Sequence, residues 1–397
     1  MTQIVKKERI LEIELLRGFA FAGVVFQHAV AHYGYLKETG LADGALLALL
    51  VILSKFAVPV FIFITGMVLF YNYDGQLNYR SFLGKRIKDI GAPFLAWSVF
   101  YMWLNHALPG AGLHELLAAG ERLITGKSSF HLWYVFMIVQ FYLLFPLFRR
   151  GLRRLTDSLC PSVRPWAVFA AGAAYIGLMP LIGMIAGLFR AADIPVLTPL
   201  FTTYADRNVL YYLFYFLLGA AAGMNVARWQ LWVRQGRYFY WPVFLGFTAY
   251  FFYQLVDGFQ QEDGLHIHFN GIALLQPLMV IFLTSSIFVL YRIAMALKSS
   301  GSPLLLRMLT RISMLSYGAY LMHAGVLRIA YTLEGSLIAE WSTTVRTIIA
   351  FLLCMGMCCL FTWLLARLPF GKWLVGVHIP RKAKIRHPTD QKAGMTS

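Results

Sequence analysis

Three ionisable residues in the first apolar stretch of the chain carry its strongest chemical signal. They are Glu14, Arg17 and His28, set in Glu-Leu-Leu-Arg-Gly with the histidine eleven positions after the arginine. On a helix that spacing makes close to three full turns, so Arg17 and His28 share one face about 16 Å apart along the axis. Glu14 lies on the same face, and His32 continues the stripe by one turn. Ionisable groups in an apolar helix are costly and tend to be kept for function. A cation at one end suits an anionic group, and a histidine at the other suits general-base chemistry. The competing reading is structural: a helix-end ion pair, and a histidine bonded to a neighbouring helix. His28 and His32 also have the i, i+4 spacing of a metal pair. No third ligand stands at a suitable spacing, so no metal is expected.

Few other polar groups interrupt the apolar runs. Lys55 precedes Phe-Ala-Val-Pro-Val-Phe-Ile-Phe-Ile-Thr-Gly in the second run, and His131-Leu-Trp133-Tyr134 opens the fourth. His323 lies in the middle of the ninth. Each has a plainer reading: Lys55 snorkels, Trp133 and Tyr134 belong to an interfacial belt, and His323 is a packed, hydrogen-bonded histidine.

The elements that must position these residues are helices. Of the 397 residues, 59% are hydrophobic and 13% charged, against about 25% charged in an ordinary soluble domain. The apolar runs approach twenty residues, the length of a membrane helix. Lipid offers the backbone no hydrogen bonds, so the spans are helical, and the short alternating segments of a β-barrel are absent from the sequence. The expected fold is all-α, a polytopic bundle of about ten transmembrane helices. The runs fall near 13–35, 46–70, 91–108, 131–148, 166–187, 209–225, 239–256, 270–290, 313–331 and 343–366.

Net charge is +17. In a soluble protein that would suggest nucleic acid, but here the charge alternates by loop. About 26 of the 35 Lys and Arg fall on one side and about 5 on the other, which makes the basic side and both termini cytoplasmic. Attraction to anionic membrane lipids follows, and no nucleic-acid partner is expected. The reading divides the chain into a transmembrane domain, 1–372, and a basic tail, 373–397, expected to be disordered. The first run is too long for a cleavable signal and lacks a small-residue cleavage site. The four cysteines show neither a disulfide framework nor zinc spacing.

Taken in order, these segments resemble the family 3 membrane acyltransferases, bacterial O-acyltransferases of cell-envelope glycans. The resemblance rests on Glu14-Leu-Leu-Arg17-Gly18 with His28, on Val58-Pro-Val-Phe-Ile-Phe-Ile-Thr-Gly66, and on Lys85-Arg86-Ile-Lys88 leading to Pro93. It continues through His131-Leu-Trp133-Tyr134 with Tyr142 and Pro146, and Ser316-Tyr317-Gly-Ala-Tyr320-Leu-Met-His323. The Arg-to-His spacing is its most specific mark. Glu14 stands where the family usually has Asp, and Thr65 where it usually has Ser. The esterase-like extracytoplasmic domain fused to some members is not expected here.

The resemblance implies transfer of an acyl group, acetyl foremost, from cytoplasmic acyl-CoA to a hydroxyl of an extracytoplasmic glycan across a bacterial cytoplasmic membrane. In that scheme Arg17 holds the donor, and Lys85, Arg86 and Lys88 meet the coenzyme A phosphates. His28 deprotonates the acceptor or briefly carries the acyl group, with Glu14 orienting Arg17. Lys55 and His323 stabilise the oxyanion or position the acceptor, and His131, Trp133 and Tyr134 line the acceptor side. Glycan-synthesis machinery would be a natural partner; the oligomeric state is open. Two rivals stand beside this reading: an exporter of glycans or metabolites, as some relatives have been described, and an assembly partner without chemistry of its own.

Overall fold

The structure is a computed structural model describing residues 8–33, 39–262, 264–269, 271–377 and 379. The helices, in chain order, are α1 (Leu11–Tyr33), α2 (Leu41–Ser54), α3 (Ala57–Asn72), α4 (Tyr79–Arg86), α5 (Ala92–Leu104), α6 (Leu113–Thr125) and α7 (Trp133–Ser158). Then follow α8 (Arg164–Leu178), α9 (Ile182–Ala192), α10 (Leu197–Phe201), α11 (Leu213–Met224), α12 (Val226–Gln235) and α13 (Arg237–Asp257). The last are α14 (Pro277–Ser300), α15 (Pro303–Ile338), α16 (Thr343–Leu365) and α17 (Gly371–Val375). Among the described residues the β-structure is one two-stranded antiparallel hairpin, Gln260–Gln261 with Gly264–Leu265.

The larger part of each apolar run is helical; the eighth becomes helical at Pro277, and residues 34, 35 and 270 lie outside the described residues. By length and composition, six helical segments can cross a membrane: α1, α2 with α3, α7, α8 with α9, α14 and α16. The bent pair Val209–Met224 and Val226–Gln235 would be a seventh. The other three runs lie on α5, α13 and α15. With 13 residues, α5 is short of a full span. Polar side chains dilute α15, among them Ser316, Tyr317, Tyr320 and His323. The region read as a tail opens with the end of α17. Residue 378 and residues 380–397, including the basic Arg381, Lys382, Lys384 and Arg386, lie outside the described residues.

The centre of the bundle is α1. It packs on α3, α14, α15 and α16 and belongs to two hydrophobic cores at once. Ile13, Leu15, Leu16, Ala20 and Val30 enter the core built on α3, α7, α11 and α14. Phe21, Val24, Val25, Ala29 and Tyr33 enter the core built on α5, α15 and α16. A helix apolar nearly all round is expected at such a position. Gly23 lets α1 approach the break between α2 and α3: a Cβ there would lie 3.2 Å from that of Ala57. Next to it Gln27 donates to the Ser54 carbonyl (2.6 Å). Lys55 is thereby fixed at the break, beside the outer part of the stripe.

The closest helix pair is α3 with α11. A Cβ on Gly66 would strike the Phe216 carbonyl, and Cβ atoms on Gly219 and Gly223 would strike those of Phe63 and Met67. Small residues four apart, here Gly219-Ala-Ala-Ala-Gly223, are how membrane helices bring their backbones together without a hydrophobic driving force. Gly219→Leu should overpack this contact at a cost of about 1–3 kcal/mol or more. The check is thermal unfolding of purified protein in detergent; an unchanged midpoint would contradict the close packing.

Candidate active site

The stripe on α1 meets two different surroundings. At its Arg17 end lies a cavity of about 340 Å³. Its polar lining is Arg17, Thr65 from α3, Arg86 from α4, Asp89 just after α4, Tyr134 and Tyr142 from α7, and Ser313, Ser316, Tyr317 and Tyr320 from α15. Phe61, Ile64, Val135 and Ile138 are among its apolar lining. Among the described residues no hydrogen bond or ion pair closes on the Arg17 guanidinium; Glu14, Tyr134, Tyr142 and Arg86 act on it through space. Glu14 itself pairs with Arg9 (3.8 Å). Arg86 stacks over the rings of Phe82 (5.3 Å) and Tyr142 (5.1 Å), and its Nε is buried without a hydrogen-bond partner. The one carboxylate in the lining, Asp89, is paired with Lys372 (2.9 Å). Two guanidinium groups thus face the cavity without a bonded counter-ion.

The local chain explains this placement. Between α4 and α5 the backbone runs as a π-helical turn, Ile87–Gly91, a feature frequent at functional sites. Tyr317 donates to its Ile90 carbonyl (2.6 Å). Gly376 closes the cavity from the other side in a left-handed conformation (φ 71°), where a Cβ would meet the Asp89 carbonyl and the Tyr317 ring. The segment just beyond α17, read from sequence as tail, therefore supplies Gly376 and Val377 to the wall.

At the far end of the stripe three histidines converge. The ring of His28 stacks on His323 (5.2 Å between centroids, 28°), and His131 meets His323 edge-on at 4.6 Å. Phe130 closes on His28 at 4.7 Å. Lys55 lies within electrostatic reach of His28. The bonding fixes two tautomers. His131 Nε2 donates to the Leu321 carbonyl (3.2 Å), which leaves Nδ1 to accept from Ser129 (3.1 Å). His323 Nδ1 donates to the Tyr320 carbonyl (2.5 Å), so its Nε2 carries a lone pair, buried and without a partner. That unsatisfied acceptor aims a basic nitrogen into the cluster.

An aromatic partition stands between the two surroundings. Tyr134 and Tyr320 line the cavity and pack edge-on at 5.8 Å; Phe61 packs on Tyr134 at 5.7 Å. Beyond them, the Tyr320 ring is 5.5 Å from both His131 and His323, and its hydroxyl donates to the His131 carbonyl. None of the three histidines lines the cavity.

A sequence model of the acyltransferase domain matches residues 10–367. The chain belongs to the family 3 acyltransferases. No curated protein and no solved structure gives a significant match. The protein is a multi-pass membrane acyltransferase, and the match spans the partition, the histidine cluster and all of the cavity lining except Gly376 and Val377.

Within this acyltransferase the residues singled out from sequence separate by position. Arg17, Arg86 and Tyr134 share the cavity; His28, Lys55, His131 and His323 share the cluster. Lys85 and Lys88 are exposed on α4 and the π-turn and do not line the cavity. Trp133 packs on Tyr134 and Tyr212, outside both sites. His32 stacks on Tyr331 (3.9 Å) instead of joining His28. Among the described residues no three His, Cys, Asp or Glu side chains could hold a metal ion.

Sequence reasoning missed the roles of Tyr317 and Tyr320, although Tyr317, Tyr320 and His323 recur every third position on one helix face. It also missed the brace beyond the histidines. There Glu334 takes Tyr33 Oη (2.5 Å) and Arg346 (2.9 Å), both charged partners being nearly buried. Tyr331 donates to the His28 carbonyl (3.0 Å). Removing one partner of a buried pair strands the other, so Glu334→Ala should cost about 3–5 kcal/mol. Thermal unfolding beside the Glu334→Gln variant tests this; equal midpoints for Glu334→Ala and the unaltered protein would exclude the brace.

Proposed function

We propose that the protein transfers an acyl group, acetyl foremost, from acyl-CoA to a hydroxyl of a cell-envelope glycan in a bacterial cytoplasmic membrane. The observation that carries the reading is the pair of sites strung on α1: a cavity with two free guanidinium groups, and a histidine cluster with an unpartnered basic nitrogen. Forked guanidinium groups suit phosphate and pyrophosphate oxygens. Arg17 and Arg86 would hold the donor's charged part at the cavity mouth. Lys85 and Lys88, exposed on the same segment, would meet its outer phosphate. The apolar lining accommodates the uncharged arm that ends in the thioester.

The chemistry belongs at the other end. His28 would take the proton of the acceptor hydroxyl as its oxygen attacks the thioester carbonyl. Lys55 would stabilise the oxyanion. His323 Nε2 would accept a hydrogen bond from the acceptor and orient it, and His131, held by both nitrogens, would keep His323 in place. When the intermediate collapses the carbon–sulfur bond breaks, the proton on His28 passes to the leaving thiolate, and ester and free CoA remain. In this reading the basic loops and both termini face the cytoplasm, and the acceptor arrives from the opposite face with the glycan-synthesis machinery.

Arg17→Ala should weaken binding of labelled acetyl-CoA to purified protein by about 10- to 100-fold, the worth of a hydrogen bond to a charged group. Unaltered binding would remove Arg17 from the donor site. His28→Ala at matched protein level should lower glycan acyl-ester formation by about 10²- to 10⁴-fold, while donor binding persists. Unchanged ester content would take the chemistry away from His28. Acceptor flux without release of CoA would identify an exporter instead.

A further inference from the structure

A second basic site lies away from this chemistry, at the elbow where α11 gives way to α12. The two helices meet at 111°, and the Asn225 side chain caps the new helix by accepting from the Arg228 N–H (2.9 Å). One face of α12 is pinned to the bundle. Trp229 is buried, and Gln230 donates to Glu12 (3.1 Å), a carboxylate at the start of α1 that is only 2% exposed. Lys298, near the end of α14, binds both oxygens of the same carboxylate at 3.1 Å. This buried acid is therefore consumed in holding α12 and α14 together.

What the clamp leaves over is cationic. Arg234 follows Gln230 by one turn, Arg237 opens α13, and Arg292 lies on α14. These three, with Met295 and Ser299, line a cavity of about 300 Å³. No carboxylate lines it, and among the described residues no ion pair reaches any of its arginines. Arg237 donates to the neighbouring Tyr238 hydroxyl (2.6 Å). Three like charges around one cavity are relieved when an anion enters, and three guanidinium forks suit a tetrahedral oxyanion. Leu231, Tyr238 and Phe239 are exposed on the same elbow. Exposed aromatic residues beside arginines are the composition of a membrane–water interface.

We infer that this cavity binds a phosphate group, with the headgroup of an anionic phospholipid as the source that its apolar surroundings favour. The site is independent of the acyl-transfer reading: it shares no residue with the Arg17 cavity or the histidine cluster. An anionic headgroup there would tie α12, α13 and α14 together, where Glu12 ties α12 and α14 alone.

Purified full-length protein, stripped of lipid in neutral detergent, provides the test. Native mass spectrometry would follow retention of phosphatidylglycerol and phosphatidylcholine at matched concentrations, and thermal unfolding would follow both lipids and inorganic phosphate. The expected result is retention of phosphatidylglycerol at least tenfold above phosphatidylcholine with a raised unfolding midpoint, both lost in Arg234→Gln/Arg292→Gln. Equal retention of the two lipids by the unaltered protein would overturn the inference, and this arm needs no variant to fold. Undiminished phosphatidylglycerol retention by a folded Arg234→Gln/Arg237→Gln/Arg292→Gln protein would overturn it too. Stabilisation by inorganic phosphate equal to that by phosphatidylglycerol, and lost in the variants, would keep the phosphate site and reject the lipid as its source.

Discussion

The structure depends on burying a helix that is not wholly apolar. Both hydrophobic cores close on α1, yet it carries Glu12, Glu14, Arg17, Gln27 and His28. Placing such groups among apolar side chains costs free energy unless each finds a partner or a polar cavity. The surrounding elements are arranged to meet that demand. Glu12 takes Lys298 and Gln230, Gln27 takes the Ser54 carbonyl, and Tyr33 at the far end takes Glu334. These contacts fix α12, α14, the break between α2 and α3, and α15 against one axis. Arg17 and His28 are the two members left without such closure by a neighbouring side chain. Their exception is what separates a site from a scaffold.

The aromatic partition gives that site its second property. Tyr134 and Tyr320 face the cavity on one side, and Tyr320 packs on His131 and His323 on the other. The same residue thus closes the cavity and holds a histidine, by donating to the His131 carbonyl. A reactive group entering from the Arg17 side must displace Tyr134 or Tyr320 before it meets His28. Such a closure would keep water from the thioester until the donor is seated. On the proposed reading it would also couple donor arrival to the arrangement of the histidines, since Tyr320 cannot turn without breaking its bond to the His131 carbonyl.

Much of this was legible in the sequence because membrane burial leaves a strong mark. The apolar runs located the helices, since each needs a continuous uncharged stretch. The Arg17–His28 spacing placed both residues on one face without any tertiary knowledge. Charge type alone was a poorer guide. Lys85, Arg86 and Lys88 look equivalent as a string, but only Arg86 turns into the cavity, because a helix followed by a π-turn spreads consecutive side chains around its axis. Glu12 and Glu14 look interchangeable in the same way. Two residues apart on a helix they point to different neighbours, and one is a buried clamp while the other pairs with Arg9. The partition and the Gly376 closure were hidden because they join segments far apart in the chain, such as Tyr134 with Tyr320 and Ile90 with Tyr317.

The length of the stripe constrains the donor. Arg17 and His28 stand about 16 Å apart on a rigid helix, and neither can approach the other without unfolding α1. A single substrate that answers to both must span the gap with its own structure. It needs an anionic end for Arg17 and Arg86, an uncharged middle for Phe61, Ile64, Val135 and Ile138, and its reactive carbonyl at the far tip. A small acyl phosphate, with its charge one bond from the carbonyl, fails this test: it cannot reach both Arg17 and His28 at once. A thioester at the end of a long flexible arm passes it. On the proposed reading, charge recognition and chemistry are separated along α1, and acyl-CoA is a donor of that shape.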